Sequence, residues 1–146
     1  KKALIIGAGG VVPSIIIALK RMNIGKVFVK NRSVHNALDL KKKFPEVNLI
    51  DWNKIIDVDM IINATSIGLK KGEKLDIDLK KFGKNKFFYD VIYNPKETDF
   101  ISDARKLGNL AENGKMMFIY QAHQAFSVWH KIFPVIDEEV IRLVEK

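Results

Sequence analysis

The stretch Lys2-Ala-Leu-Ile-Ile-Gly-Ala-Gly-Gly-Val-Val-Pro-Ser14 decides how this chain is read. Residues 2–6 are almost wholly apolar and of strand length, the pattern of a strand covered on both faces in a parallel sheet. Gly7, Gly9 and Gly10 make a turn, and 13–21 reads as the helix that follows. A pyrophosphate can sit on such a helix N-terminus, where the dipole and the free first-turn N–H groups attract an anion and glycine lets the backbone come close. The spacing is Gly7-x-Gly9-x-x-Val12, so the third glycine of the dinucleotide fingerprint is replaced. Val12 is therefore expected to displace the helix slightly or to repack it. Pro13 falls in the first turn, where its missing N–H costs nothing. The alternative is a plain glycine-rich turn with no ligand.

The 146 residues suit one domain with a sizeable core, and 47% hydrophobic with 29% charged residues is ordinary for a globular protein. With no cysteine there is neither disulfide framework nor thiol nucleophile nor cysteine zinc site, which suits a cytoplasmic setting. No apolar run is long enough for a membrane span, and 2–6 is too short for a signal segment. The net charge of +8 comes largely from scattered lysines such as Lys41-Lys42-Lys43 and Lys80-Lys81. These runs lack interleaved aromatics, so no nucleic-acid partner is expected, and a small anionic ligand accounts for the charge as well. A chain that opens on a strand is either a true start or the second half of a longer protein.

Along the chain, strands are expected at 2–6, 26–30, 47–50, 60–63 and 87–93, with a sixth at 116–120 unless that run already turns into the helix of 121–133. Helices are expected at 13–21, from an N-cap at Ser33 to about Phe44, and from a cap at Thr98 to Leu107. A single helical turn is expected at 52–56 and partial helix at 75–82. A final amphipathic helix at 137–145 should turn Val140, Ile141 and Val144 inward. Strands alternating with helices predict an α/β doubly wound parallel sheet of about six strands in one domain, in the order 3-2-1-4-5-6. Ligands of such sheets lie across the carboxyl ends of the strands.

The end of the second strand selects among nucleotides. An NAD site needs an acid there for the ribose hydroxyls, but the chain reads Lys30-Asn31-Arg32-Ser33. A guanidinium and a hydroxyl suit a 2′-phosphate instead, and Arg32 can also stack on adenine. An exposed basic loop is the alternative. Asn63-Ala-Thr-Ser66 offers small polar groups beside the first strand, where they can meet a ribose or phosphate or simply form a turn. Tyr93 and Gln121 lie near the same edge and can bond a polyhydroxy or anionic ligand, or serve as a core-edge tyrosine and an exposed amide. Asp90 reads as a satisfied buried acid. His123 and His130 are seven apart but lack a third ligand, so they and His35 read as structural or surface residues and no metal is expected.

Several stretches together resemble shikimate dehydrogenase, in its C-terminal, NADP-binding, Rossmann-like domain. They are Gly7-Ala-Gly-Gly10, Asn31-Arg-Ser33, Asn63-Ala-Thr-Ser-Ile-Gly68, Asp90-Val-Ile-Tyr-Asn-Pro95 with Thr98, Gly114, Gln121-Ala122, and Phe126 with Trp129. The resemblance implies reversible NADPH-dependent reduction of 3-dehydroshikimate to shikimate in aromatic amino-acid biosynthesis, through chorismate. It implies that Gly7, Ala8, Gly9, Gly10 and Val11 hold the pyrophosphate and that Asn31, Arg32 and Ser33 hold the 2′-phosphate. Thr65 and Ser66 would lie along the ribose side, and Val91, Gly114 and Met117 would flank the nicotinamide. Tyr93 and Gln121 would reach the substrate.

Two positions depart from the family. Pro13 stands where a basic residue is frequent, and Asn36 stands where a second Arg or Lys is, which weakens the 2′-phosphate site. The family's catalytic Lys and Asp belong to an N-terminal substrate domain that these residues do not match. The chain is therefore expected to bind NADP without turnover, and its final helix to pack toward that other domain. The alternatives are a quinate/shikimate dehydrogenase-like paralogue and a non-enzymatic nucleotide-sensing module.

Overall fold

The apolar run that opens the chain becomes the central strand β1 (Lys2–Ile6), in which Ala3, Leu4, Ile5 and Ile6 have no exposed surface. Burying each of the larger three contributes about 1.5–3 kcal/mol, which requires strands on both edges and cover on both faces. The computed structural model describes residues 1–70 and 72–144. After β1 come α1 (Val12–Arg21), β2 (Lys26–Lys30), α2 (Val34–Lys43), β3 (Asn48–Leu49) and β4 (Met60–Asn63). A short 3-10 turn (Leu79–Phe82), β5 (Phe87–Asp90), α3 (Asp99–Lys106), β6 (Leu110–Asn113), α4 (Lys115–His130) and α5 (Glu138–Leu143) follow. The six strands form one parallel sheet in the order β3-β2-β1-β4-β5-β6, as the alternating pattern predicts.

Alternation along β1 divides the core between two faces. Ala3 and Ile5 pack with Val12, Ile15, Ile16 and Leu19 of α1, with Val27 and Val29, and with Leu40 of α2. Leu4 and Ile6 pack on the other face with Phe82, Phe88, and Phe100, Ile101 and Ala104 of α3. Val12 is the first residue of α1 and is fully buried against the first face. The valine at the third fingerprint position is thus repacked as core, and Pro13 sits in the opening turn as expected.

Several expected elements are corrected. The sixth strand is Leu110–Asn113, and 116–120 is the beginning of α4. A run of apolar residues does not distinguish strand from helix by periodicity. Here Asn113 decides, because its side-chain oxygen accepts from Lys115 N at 3.1 Å and opens the helix behind Gly114. As an edge strand, β6 needs little apolar surface, and Ala111 is its one buried residue while Leu110 is 73% exposed. β5 stops at Asp90, whose carboxylate caps the Ile92 amide and bends the chain away. Residues 52–56 form an irregular crossover with one turn, Lys54 N to Asp51 O at 3.1 Å, and no helix.

The helix N-caps at Ser33 and Thr98 fall where expected, although only Thr98 accepts from an amide, that of Ile101. α4 closes at Lys131 in a left-handed conformation, before Phe133. In α5 no residue is buried; Val140 and Val144 line an apolar groove against Phe118 and Phe126 of α4, and Ile141 is half-buried. Glu145, the expected end of that helix, lies outside the described residues. Among the described residues no helix is long and apolar enough to cross a membrane.

Candidate functional site

The sheet order reverses at β1, between β2 and β4, and the carboxyl ends of these strands open a crevice. Its mouth is set by two main-chain bonds, Gly7 N to Lys30 O and Ala64 N to Ile6 O, both 2.8 Å. A depression of about 260 Å³ lies there, lined by Gly7, Ala8, Gly9, Thr65, Ser66 and, across from them, Asn31, Arg32, Asn36 and Trp52. Gly10, Val11 and Ser33 flank this depression in sequence without lining it.

Gly7 has a φ of +117°, and a Cβ there would lie 2.8 Å from the Ala64 carbonyl oxygen and 3.2 Å from Thr65 Cγ2. The strand-to-turn junction therefore accepts only glycine. Gly9 and Gly10 differ: a Cβ on either would meet nothing within 4 Å. Their glycines satisfy no packing need of the chain itself, and the space above them is room for something else to approach.

At the facing wall Asn31 donates from Nδ2 to Ser33 O at 2.8 Å, closing the turn that carries Arg32. Arg32 is exposed and enters no ion pair among the described residues. Its guanidinium is thus available to an anion in the crevice, with no carboxylate to neutralise it. Thr65 is tied inward, its hydroxyl donating to Asn63 Oδ1 at 2.7 Å and accepting from Ile67 N at 3.1 Å. Ser66 is exposed beside it.

The remaining predicted residues gather on the far side, beyond the depression. A Cβ on Gly114 would lie 2.1 Å from the Val91 carbonyl oxygen, so the turn into α4 is pressed onto the chain leaving β5. Gly114 N also donates to Ile92 O at 3.1 Å, and Val91 N to Asn63 O at 3.0 Å. Gly114, Met117, Phe118 and Gln121 recur at three- and four-residue spacing and so share one face at the head of α4. Tyr93 stacks on Phe118 with ring centroids 4.2 Å apart, and Gln121 is exposed. The structure therefore joins Gly114 to Val91 and, through Phe118, Tyr93 to the face of α4 that carries Met117 and Gln121.

Beneath both halves lies a buried polar knot. Asp90 has no exposed surface and accepts from Thr98 Oγ1 at 2.6 Å, Asn63 Nδ2 at 3.1 Å and Ile92 N at 3.1 Å. Burial pushes its carboxyl above the usual range, and the Thr98, Ile92 and Asn63 hydrogen bonds oppose that rise. It ties the ends of β4 and β5 to the start of α3, which fits the reading of Asp90 as a satisfied acid. The histidines lie elsewhere: His35 is 3.2 Å from Asp39, His123 contacts Pro134 O, and His130 rests on Phe126.

Two contributors escape the sequence reading. Trp52 lines the depression from the irregular crossover, and Lys30, whose backbone leads to Arg32, is buried beneath it. An isolated aromatic in a polar segment after a short strand is the one signal for Trp52. Nothing local distinguishes Lys30 from the surface lysines.

A glycine turn and a basic turn facing each other across the switch point of a doubly wound parallel sheet define a Rossmann-like α/β domain. The family model described as shikimate / quinate 5-dehydrogenase matches residues 1–99, and the chain belongs to this family. It is 59% identical over 145 residues to the shikimate dehydrogenase (NADP(+)) of Pelagibacter ubique, covering 99% of this chain and 55% of that protein. Among solved structures it is similar to shikimate 5-dehydrogenase from Thermus thermophilus in complex with NADP(H) and shikimate. The TM-score is 0.82 at 26% identity, over 98% of this chain and 53% of that one. It is similar also to quinate dehydrogenase from Corynebacterium glutamicum in complex with NAD, with a TM-score of 0.85 at 27% identity over 99% and 54%. The chain thus spans about half the length of the curated relatives it matches.

Proposed function

We propose that this chain is the NADP-binding half of a shikimate dehydrogenase, acting in the reversible NADPH-dependent reduction of 3-dehydroshikimate to shikimate. The observation that carries the reading is Arg32, an unpaired cation on the wall opposite the glycine turn, where an NAD site would have an acid. The relatives include structures with NADP(H) and with NAD on this one fold. The fold therefore does not choose between them, and the side chains after β2 must.

In this reading the pyrophosphate lies over Gly7, Ala8, Gly9, Gly10 and Val11, where the open space above Gly9 and Gly10 fits it. Asn31 and Ser33 hold the turn, and Arg32 binds the 2′-phosphate, with Asn36 adding a neutral contact. Thr65 shapes the ribose side through its methyl, since its hydroxyl is committed to Asn63, and Ser66 supplies the free hydroxyl. Val91, Gly114 and Met117 form the nicotinamide end, and Tyr93 and Gln121 face the substrate. The nicotinamide, when bound, supplies or accepts the hydride. The chain's own residues orient it, while the proton donor, a Lys and Asp pair, belongs to an N-terminal domain of the same enzyme. A chain half the length of its relatives supports that partition. The exposed apolar residues of α4 and the segment after it then form the face toward that domain. We place the protein in the cytoplasm, a setting in which a chain that needs no disulfide can work.

The quinate alternative is favoured by one observation, the family model that joins both substrates. A full-length enzyme assayed with shikimate and quinate separates them by kcat/KM. For the cofactor, calorimetric titration of the chain with NADP⁺ and NAD⁺ at one salt concentration tests the site. We expect tighter NADP⁺ binding, with the preference of about tenfold to a hundredfold largely erased in Arg32→Ala. Equal affinity for both cofactors would remove Arg32 from the 2′-phosphate. Failure of the folded chain to bind either would refute the assignment.

A further inference from the structure

β2 alternates Val27 and Val29 onto one sheet face, and so directs Phe28 and Lys30 to the other. Lys30 has no exposed surface there, an unusual place for an ammonium group without a carboxylate partner among the described residues. Its Nζ donates instead to two main-chain carbonyls, Trp52 O at 2.9 Å and Lys54 O at 2.7 Å. Both acceptors belong to the crossover between β3 and β4, which has no helix to satisfy its own backbone. Burial pushes the Lys30 ammonium below the usual lysine range.

The same residue joins three parts of the crevice. Its carbonyl accepts from Gly7 N at 2.8 Å, its peptide leads into Asn31 and Arg32, and its side chain pins the segment that presents Trp52. Trp52 is half-buried and lines the depression beside Arg32 and Asn36. An indole held at that place offers a planar apolar surface to a purine whose ribose phosphate is taken by Arg32.

We infer that Lys30 is a positioning residue, which holds the 52–54 crossover so that Trp52 forms the wall for the adenine of the bound dinucleotide. This rests on the dinucleotide reading above. It adds a determinant of affinity that is distinct from the choice between NADP and NAD, which Arg32 makes.

The test uses the chain carrying Trp129→Phe, in which Trp52 is the remaining tryptophan and reports alone. Lys30→Met keeps length and removes both donations; Lys30→Arg restores a cation able to donate twice. We expect Lys30→Met to weaken NADP⁺ and NAD⁺ together by about tenfold or more, leaving their ratio unchanged. Acrylamide should quench Trp52 more readily in this variant, and Lys30→Arg should recover part of both effects. Trp52→Ala should lose a similar factor in affinity, and combining it with Lys30→Met should add little. Unchanged affinity and unchanged Trp52 quenching in folded Lys30→Met would overturn the inference while leaving NADP binding intact. If Lys30→Met does not fold, Trp52→Ala decides, since full affinity in that variant removes the wall from the site. A parent chain that binds neither cofactor overturns the dinucleotide reading itself, and this inference with it.

Discussion

At Gly7 and Gly9 one residue type serves two different physical needs. A side chain on Gly7 would combine a left-handed backbone with a 2.8 Å approach to the Ala64 carbonyl, whereas one on Gly9 would enter open space. Gly7→Ala should therefore cost about 2–4 kcal/mol in urea denaturation. Gly9→Ala should leave stability within about 0.5 kcal/mol of the parent and still weaken NADP⁺ binding in calorimetry. Asp90 makes a different prediction. Its carboxyl is raised by burial, so between its unfolded and native values the folded chain binds the extra proton. The contribution is present in full below the unfolded value, about 3.9, and is lost as the pH rises through the native one. Asp90→Asn removes this dependence, so the stability of the parent relative to the variant should fall as pH rises. Urea titrations of both from about pH 4 to 8 measure it, and parallel curves would show that Asp90 does not titrate in that window.

Among the elements, α3 depends on one hydroxyl twice over. Thr98 Oγ1 donates to Asp90 and accepts from Ile101 N, so it caps the helix and completes the buried knot. Thr98→Val keeps the shape and loses both bonds, at an expected cost of about 2–3 kcal/mol, while Thr98→Ser should recover most of it. The two valines and four isoleucines in the paired register of β1, β2 and β4 are legible from their apolar runs, as is the order of these strands. β6 was not legible, because an edge strand with Ala111 as its one buried residue carries almost no hydrophobic signature. The start of α4 is ambiguous in the sequence for the opposite reason: 116–120 is apolar enough for a strand, and only the Asn113–Lys115 turn marks it as helix.

On the scale of the whole molecule, the buried core lies on the two sheet faces, and the end of α4 with the segment after it stands outside it. Trp129, Phe133 and Val135 are 77%, 77% and 78% exposed, and α5 buries no residue. Such a concentration of large apolar groups marks a contact surface rather than a core. Replacing Trp129 and Phe133 together by Ser should change the stability of the chain by no more than about 0.5 kcal/mol, as equilibrium unfolding would record. In the full-length enzyme the same double variant should cost several times that, if this surface meets the N-terminal domain as proposed. Equal small losses in both would place the domain contact elsewhere.

The amino-acid sequence alone determined the first five strands and their order, the glycine turn and the identity of the basic turn after β2. These depend on local periodicity and on residues with restricted conformations, which act over a few positions. Only the tertiary structure decided that Thr65 is tied inward, that Gly114 presses on Val91, and that Trp52 shares a depression with Arg32. It alone distinguished Lys30 from the other lysines, by enclosing its ammonium group and leaving two crossover carbonyls as its partners. Burial and hydrogen-bond partnership arise between segments distant in the chain, and no local pattern records which lysine the fold will close over.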